Sequence, residues 1–411
     1  MTAPASTEGD PKVTRHMLGI GRSRELHAKA ARLGLRLSVV AAKSKVATLD
    51  TGLYDRIVGV SSEAGPDEWL TMARAVHAVD PIDVVGGLSE TTQWAAALIA
   101  RDLGLPYASP EVVRYSRDKY AMRELLRGAG LDDTPSRVVR DRVELERFAA
   151  ETGYPIVLKP RDGQGKIGFA KLAGPDAIDA ALARFAIQAP GSDMLVEAFI
   201  TGDEYSVEAF SEGGVHRTVC VTRKQKDPET FIEIGHCVPA PLDPVDADRL
   251  RGFAVRVLDT LGVVDGPSHT EMMVGPDGPR VVETHVRLPG GAVVDLIKLL
   301  CSVDLDELWI RQLSGERVLD EVPEKLDGYA ASAFVVPRGP GMVRAVTGEE
   351  EAAALPGVKR VKLIFDVGTV VSDVYDSDSR GAGVLAVGAT GAEAITRSRD
   401  AVSRLHFEIT R

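Results

Sequence analysis

The chain has 411 residues, 44% of them hydrophobic and 27% charged, a composition that suits a globular protein of roughly two to four domains. A net charge of −11 argues against non-specific nucleic-acid binding, and no apolar run reaches the roughly 18 residues of a membrane span. Cys220, Cys237 and Cys301 form neither a C-x-x-C pair nor a Cys/His metal spacing, so reduced thiols in a cytoplasmic protein are expected.

Residues 1–12, MTAPASTEGDPK, are polar, lack the core of a signal peptide and read as a disordered leader. From 13 to 110 strand and helix patterns alternate: HMLGIG, then RSRELHAKAARLG, LRLSVVAA, RIVGV, DEWLTMARAVHA, PIDVVGG and ETTQWAAALIARDLG. That order predicts a parallel sheet with helices on both faces. Gly19 and Gly21 stand where the first strand turns into a helix, but the third glycine of a dinucleotide fingerprint is missing, so a tight turn is expected.

Residues 111–130 read as one helix carrying Arg117, Lys119 and Arg123. Alternation resumes over 136–190 with SRVV, a helix, PIVLKP, a glycine-rich turn, GFAKL and a helix. Within it, GYPIVLKPRDGQGKIGFAKL delivers Lys159 from an apolar strand into a turn containing Gly163, Gly165, Lys166 and Gly168. Glycines let backbone N–H groups approach phosphate oxygens, and a lysine adds a point charge for the same oxygens. A plain hairpin with a solvated lysine fits the segment too, and the Walker pattern is absent.

Strand patterns dominate 194–287, interrupted by one helix over 244–262. In LVEAFITGDEYSVEAF, Glu197 and Glu204 lie seven apart across a glycine turn, a spacing that suits either two exposed carboxylates or the acceptors a nucleoside needs. SHTEMMVGPDGPRVVETHVRLPGG reads as a hairpin closed by GPDG. Side chains alternate along a strand, so His269 and Glu271 share a face, as do Glu283, His285 and Arg287 on the partner. A turn near 276–277 sets Glu271 almost opposite Glu283, which costs stability unless a cation lies between them. Hard oxygen ligands at that spacing suit Mg2+ holding a substrate phosphate, and Arg287 could take a phosphate or an oxyanion. Residues 291–314 return to helix, and the last hundred residues read as a small α+β unit.

Taken in order, these segments resemble the ATP-grasp superfamily, most closely its bacterial carboxylate–amine ligases, which include the L-amino-acid (dipeptide) ligases. The resemblance runs over most of the chain and includes LGLPYASPEVVRYSRDKYAMRELLRGAGL. It implies an α/β and α+β chain with the ATP-grasp fold. A doubly wound pre-ATP-grasp domain would span 13–110, a first lobe with a phosphate lid 111–192, a second lobe with the metal site 193–315, and a C-terminal α+β subdomain 316–411.

By this resemblance Lys119 and Lys159 contact ATP phosphates, and Gly163, Gly165 and Gly168 belong to the mobile lid, where Lys166 adds a possible phosphate contact. Glu197 with the backbone of Ala198 and Phe199 forms the adenine hinge, and Glu204 takes the ribose. Glu271 and Glu283 hold Mg2+, two ions with Mn2+ as an alternative, and Arg287 stands near the transferred phosphate. His236, in FIEIGHCVPAP, faces phosphates or the acyl substrate, with Glu233, Gly290, Gly291 and His285 as weaker substrate candidates. The family often has Asn where this chain has His285, which leaves the role of that imidazole open. The implied activity is ADP-forming ligation of an acid, expected to be an amino acid, to an amine through an acyl phosphate. The implied partners are small molecules, with a homodimer as a further expectation. Alternatives are a biotin- or bicarbonate-type carboxylase of the same fold, or a non-catalytic nucleotide-binding module, whose signature would be loss of Glu271 or Glu283.

Overall fold

A computed structural model describes residues 14–162, 167–372 and 379–410; Gly163, Gly165 and Lys166 lie outside the described residues, as does the N-terminal leader. The β-α alternation at the start of the sequence becomes a parallel four-stranded sheet in the order Arg56–Val60, Arg36–Ala42, His16–Ile20, Val84–Gly86. Leu18 and Ile20 pack toward the helices Pro66–Val79 and Gln93–Leu103, in a core with Val40, Val85, Ala96 and Ile99. On the other face, the turn after the first strand brings the His27 ring of helix Arg24–Arg32 so close to Gly19 that a Cβ there would meet it at 2.6 Å. Gly21 takes φ +80 and donates its N–H to Val40, as a tight turn requires. Residues up to Pro110, together with Asp306–Val318, form one compact unit.

The second unit comprises Glu111–Leu305 and Leu319–Arg411. Its first sheet is antiparallel, ordered Ser136–Val139, Met194–Ala198, Ile156–Pro160, Ala170–Leu172. Alternation divides the strand Ile156–Pro160: Ile156 and Leu158 enter a core with Leu145, Phe148, Ile178, Phe185 and Val196, whereas Lys159 takes the opposite face. Its largest sheet has eight strands, ordered Gly278–His285, Gly266–Gly275, Asp203–Glu212, Val215–Lys226, Glu233–Val238, Tyr329–Val335, Ala382–Gly388, Val358–Leu363. The last three come from the C-terminal α+β region and extend the sheet that carries the candidate metal hairpin. Gly341–Thr347 pairs with Val370–Val371 and His406–Thr410 in a separate three-stranded sheet.

The segment 111–130 is two helices rather than one, Pro110–Arg117 and Lys119–Gly128. Asp118 breaks the run with an extended backbone and accepts the Ala121 N–H as the cap of the second helix. Its carboxylate also takes two hydrogen bonds from Arg161, at 2.6 and 2.9 Å, and Arg161 accepts the Lys119 N–H on its carbonyl. Lys119 thus opens a new helix at a fixed point beside the strand of Lys159. The expected helix over 291–314 is likewise two, Val293–Leu300 and Leu305–Leu313.

Candidate active site

Alternation along neighbouring strands gathers one polar face on the eight-stranded sheet. His269 pairs with His285 and Glu271 with Glu283; His269 also pairs with Glu208, Glu271 with Ser206, Ser206 with Thr222, Lys224 with His236, and His236 with Ser332. Residues directly paired across a ladder point to the same side.

Two bulges complete this face. Gly275 opposite Gly278 and Met272 opposite Val281 would set Glu271 against Val282, but an extra residue shifts the register so that Glu271 meets Glu283. A second irregularity between Gln225 and Lys226 places Glu233 opposite Lys226. Glu233, an odd number of residues from His236, thereby returns to the imidazole's side, and its carboxylate lies 3.3 Å from Nε2.

The facing carboxylates are compensated by cations of the protein. Glu283 lies 3.2 Å from the Lys119 ammonium and 3.2 Å from His285 Nε2. Burial alone would raise its pKa, but Lys119, His285 and Lys159 outweigh burial and hold it well below the usual carboxylate range. Glu271 is 2.5 Å from Lys224 Nζ and accepts a 2.9 Å hydrogen bond from His269. Its pKa is lowered too, Lys224 and His269 overcoming burial and the like charge of Glu283. His269 donates its other N–H to Glu208 at 2.7 Å, and Ser206 and Thr222 also donate to Glu208. Burial would keep this imidazole neutral; Glu208 and Glu271 instead push its pKa up to about 9.

Lys159, on the smaller sheet, pairs with Glu197, which is also gripped by Arg123. Arg123 is wholly buried, and its guanidinium continues to Asp132 at 2.7 Å and the Val281 carbonyl at 2.9 Å, tying the strand of Glu197 to the hairpin of Glu271 and Glu283. Burial opposes ionisation of Glu197, yet Arg123 and Lys159 lower its pKa to about 2.

At the expected hinge, several polar groups already have partners within the protein. The Glu197 carboxylate is occupied by Arg123 and Lys159, the Ala198 N–H goes to the Pro135 carbonyl and the Phe199 N–H to the Pro155 carbonyl. Phe199 instead offers its ring, with the Lys171 ammonium 3.9 Å from the centroid and Phe231 edge-on at 6.3 Å. Gly168 is likewise committed: it takes φ +69, and its N–H donates to the Gln188 side chain, anchoring the end of the glycine-rich turn.

Glu204 is buried, and one of its oxygens, Oε1, has no hydrogen-bond partner; the Lys224 ammonium is 3.5 Å away and Lys226 holds the other oxygen. Gly291 takes φ +61 and approaches His236 so closely that a Cβ would meet the ring at 2.5 Å. Gly290 has open space about it and accepts the Val293 N–H on its carbonyl. Arg287 lies just beyond the hairpin strand and donates to the Leu288 carbonyl at 2.9 Å. Sequence reasoning named Arg123 on its helix and His269 beside Glu271 without giving either a role, and did not reach Lys224, Glu208 or Arg380. Arg380 packs over Phe334 at 4.5 Å and bonds both the carbonyl and carboxylate of Glu233. Lys224 was detectable, since it occurs on an alternating strand; its partner Glu233 depends on the bulge at Gln225 and Lys226.

Residues 152–294 match the ATP-grasp domain, and residues 333–410 match L-amino acid ligase C-terminal domain 2. The chain is similar to an uncharacterized protein, y4rH, of Sinorhizobium fredii, 27% identical over 378 residues, or 90% of this chain and 75% of that one. It is similar to dapdiamide A synthase of Enterobacter agglomerans, 26% identical over 274 residues, or 63% of this chain and 64% of that one. Among solved structures its fold matches an L-amino acid ligase from Bacillus licheniformis with a TM-score of 0.85 at 21% identity, covering 98% of this chain and 100% of that chain.

Proposed function

We propose that the chain is an ATP-grasp ligase of the carboxylate–amine type that joins an acid to an amine using ATP, with small-molecule substrates and an amino acid as the acid; the ATP-grasp match and the C-terminal match to an L-amino acid ligase domain support this reading. The observation that carries this reading is the pairing of Glu271 with Glu283 on a polar face beside Lys119.

The residues present fit a nucleotide and Mg2+. The Glu204 oxygen, which accepts no hydrogen bond and has only the Lys224 ammonium near it, suits a ribose hydroxyl. Lys119 and Lys159 sit where phosphates would follow. Glu271 and Glu283 would hold the metal, two Mg2+ or Mn2+ ions in this reading, and Mg2+ there would neutralise charge on the transferred phosphate. Lys119 and His285 keep Glu283 ionised, and Lys224 and His269 keep Glu271 ionised. His236, locked against Gly291 and Ser332, aims toward the acyl side, and burial lowers its pKa so that it acts as a neutral donor or acceptor. Glu233 faces the same space and suits a substrate ammonium. Arg287 is assigned to the oxyanion that forms when an amine attacks the acyl phosphate.

The C-terminal match favours this reading over a bicarbonate-type carboxylase, and the presence of both Glu271 and Glu283 favours it over a non-catalytic module. Among the described residues no helix is long and apolar enough to cross a membrane. A homodimer remains part of the proposal. The test is a screen of amino-acid pairs for ADP release, with the product identified by mass. ADP formation that requires an added amino acid supports the reading; AMP formation contradicts it.

A further inference from the structure

Glu204, Glu233 and Glu271 each point one carboxylate oxygen into a common space, and those oxygens lie within 4.8 Å of one another. Such a triad could surround a divalent ion with Mg–O distances of about 2.1 Å. Its centre holds the Lys224 ammonium, 2.5 Å from Glu271, 2.7 Å from Glu233 and 3.5 Å from Glu204.

Each carboxylate also has a cation of its own on the outside. Lys226 holds Glu204, Arg380 holds Glu233 with the neutral His236 ring beside it, and His269 holds Glu271. Lys224 is the member shared by all three, and its side chain is almost wholly buried. Three buried anions around an uncharged centre would draw in protons or a metal ion.

We infer that Lys224 is an internal counter-ion that keeps divalent metal out of the Glu204–Glu233–Glu271 triad and so reserves Glu271 for the metal it shares with Glu283. Lys224 is a positioning residue: it acts through the carboxylates it holds. The same ammonium links the proposed ribose, metal and amine-binding carboxylates, so its loss disturbs all three together. The inference deepens the ligase reading and rests on it for the role of Glu283.

The test is Mn2+ binding followed by electron paramagnetic resonance, with and without adenylyl imidodiphosphate. The proteins are wild type, Lys224→Met, Lys224→Arg, and Lys224→Met combined with Glu233→Gln. Without nucleotide, Lys224→Met binds one Mn2+ more tightly than wild type by at least tenfold. Lys224→Arg matches wild type, and the double variant loses the added site because one anion has been removed. If Lys224→Met folds only when ions are supplied, recovery by Mn2+ and not by Na+ reads the same site. Equal Mn2+ binding by wild type and Lys224→Met without nucleotide overturns the inference. Failure of wild type to gain Mn2+ when the nucleotide is added overturns the ligase reading instead, leaving the nucleotide-free comparison standing on its own.

Discussion

Single side chains in this protein owe their charge states to their neighbours. Glu197 and Glu283 are buried carboxylates that burial alone would neutralise, and each stays ionised because two or more cations meet it. His27 is the opposite case. It is buried against Gly19 and the Tyr54 hydroxyl, no anion offsets its desolvation, and its pKa falls to about 4 from an ordinary 6.5. As pH drops below 6.5 the unfolded chain takes up this proton before the folded chain does, so stability falls between pH 6.5 and about 4 and is unaffected above that window. The ceiling on this loss is about 3 kcal/mol. Denaturant midpoints measured from pH 4 to 7 are expected to fall toward acid in wild type and to flatten in His27→Gln. An equal slope in both would remove His27 from the account.

Local breaks decide where the strands and helices deliver their side chains. Asp118 interrupts what reads in sequence as a single helix, caps the second half and grips Arg161. Asp118→Ala removes a cap that contributes about 1 kcal/mol. It is expected to lower the thermal midpoint and to raise KM for ATP several-fold with a smaller change in kcat, because Lys119 follows the cap directly. An unchanged KM for ATP would detach Lys119 from the phosphates. Most of the fold was legible because apolar periodicity marked nearly every strand and helix, including PIVLKP, MLVEAFI and the GPDG hairpin. Glu271 opposite Glu283 was legible only approximately: turn position gives the register to within a residue, and the bulge supplies the rest. The hinge was less legible still. A sequence offers Glu197 as a free carboxylate, whereas Arg123, 74 residues earlier, claims it. Likewise nothing local signals that Lys224 will meet three anions from three other strands.

For the molecule as a whole, the C-terminal region does more than follow the ATP-grasp domain. Its strands Tyr329–Val335 and Ala382–Gly388 continue the sheet on which the polar face is built, and it contributes Ser332 and Arg380 to the surroundings of His236 and Glu233. The region that matches an L-amino acid ligase C-terminal domain thus borders the space that the proposal assigns to the acid and amine. The account requires that the acid be activated by phosphoryl transfer with the metal held between Glu271 and Glu283. The direct measurement uses an amino acid labelled with 18O in its carboxylate, chosen from the screen, and follows the label by mass spectrometry. The account predicts ADP as the nucleotide product and one labelled oxygen in the released inorganic phosphate, with no transfer by Glu283→Gln although that variant folds. Label appearing in AMP, or phosphate released without label while the amide forms, would contradict it.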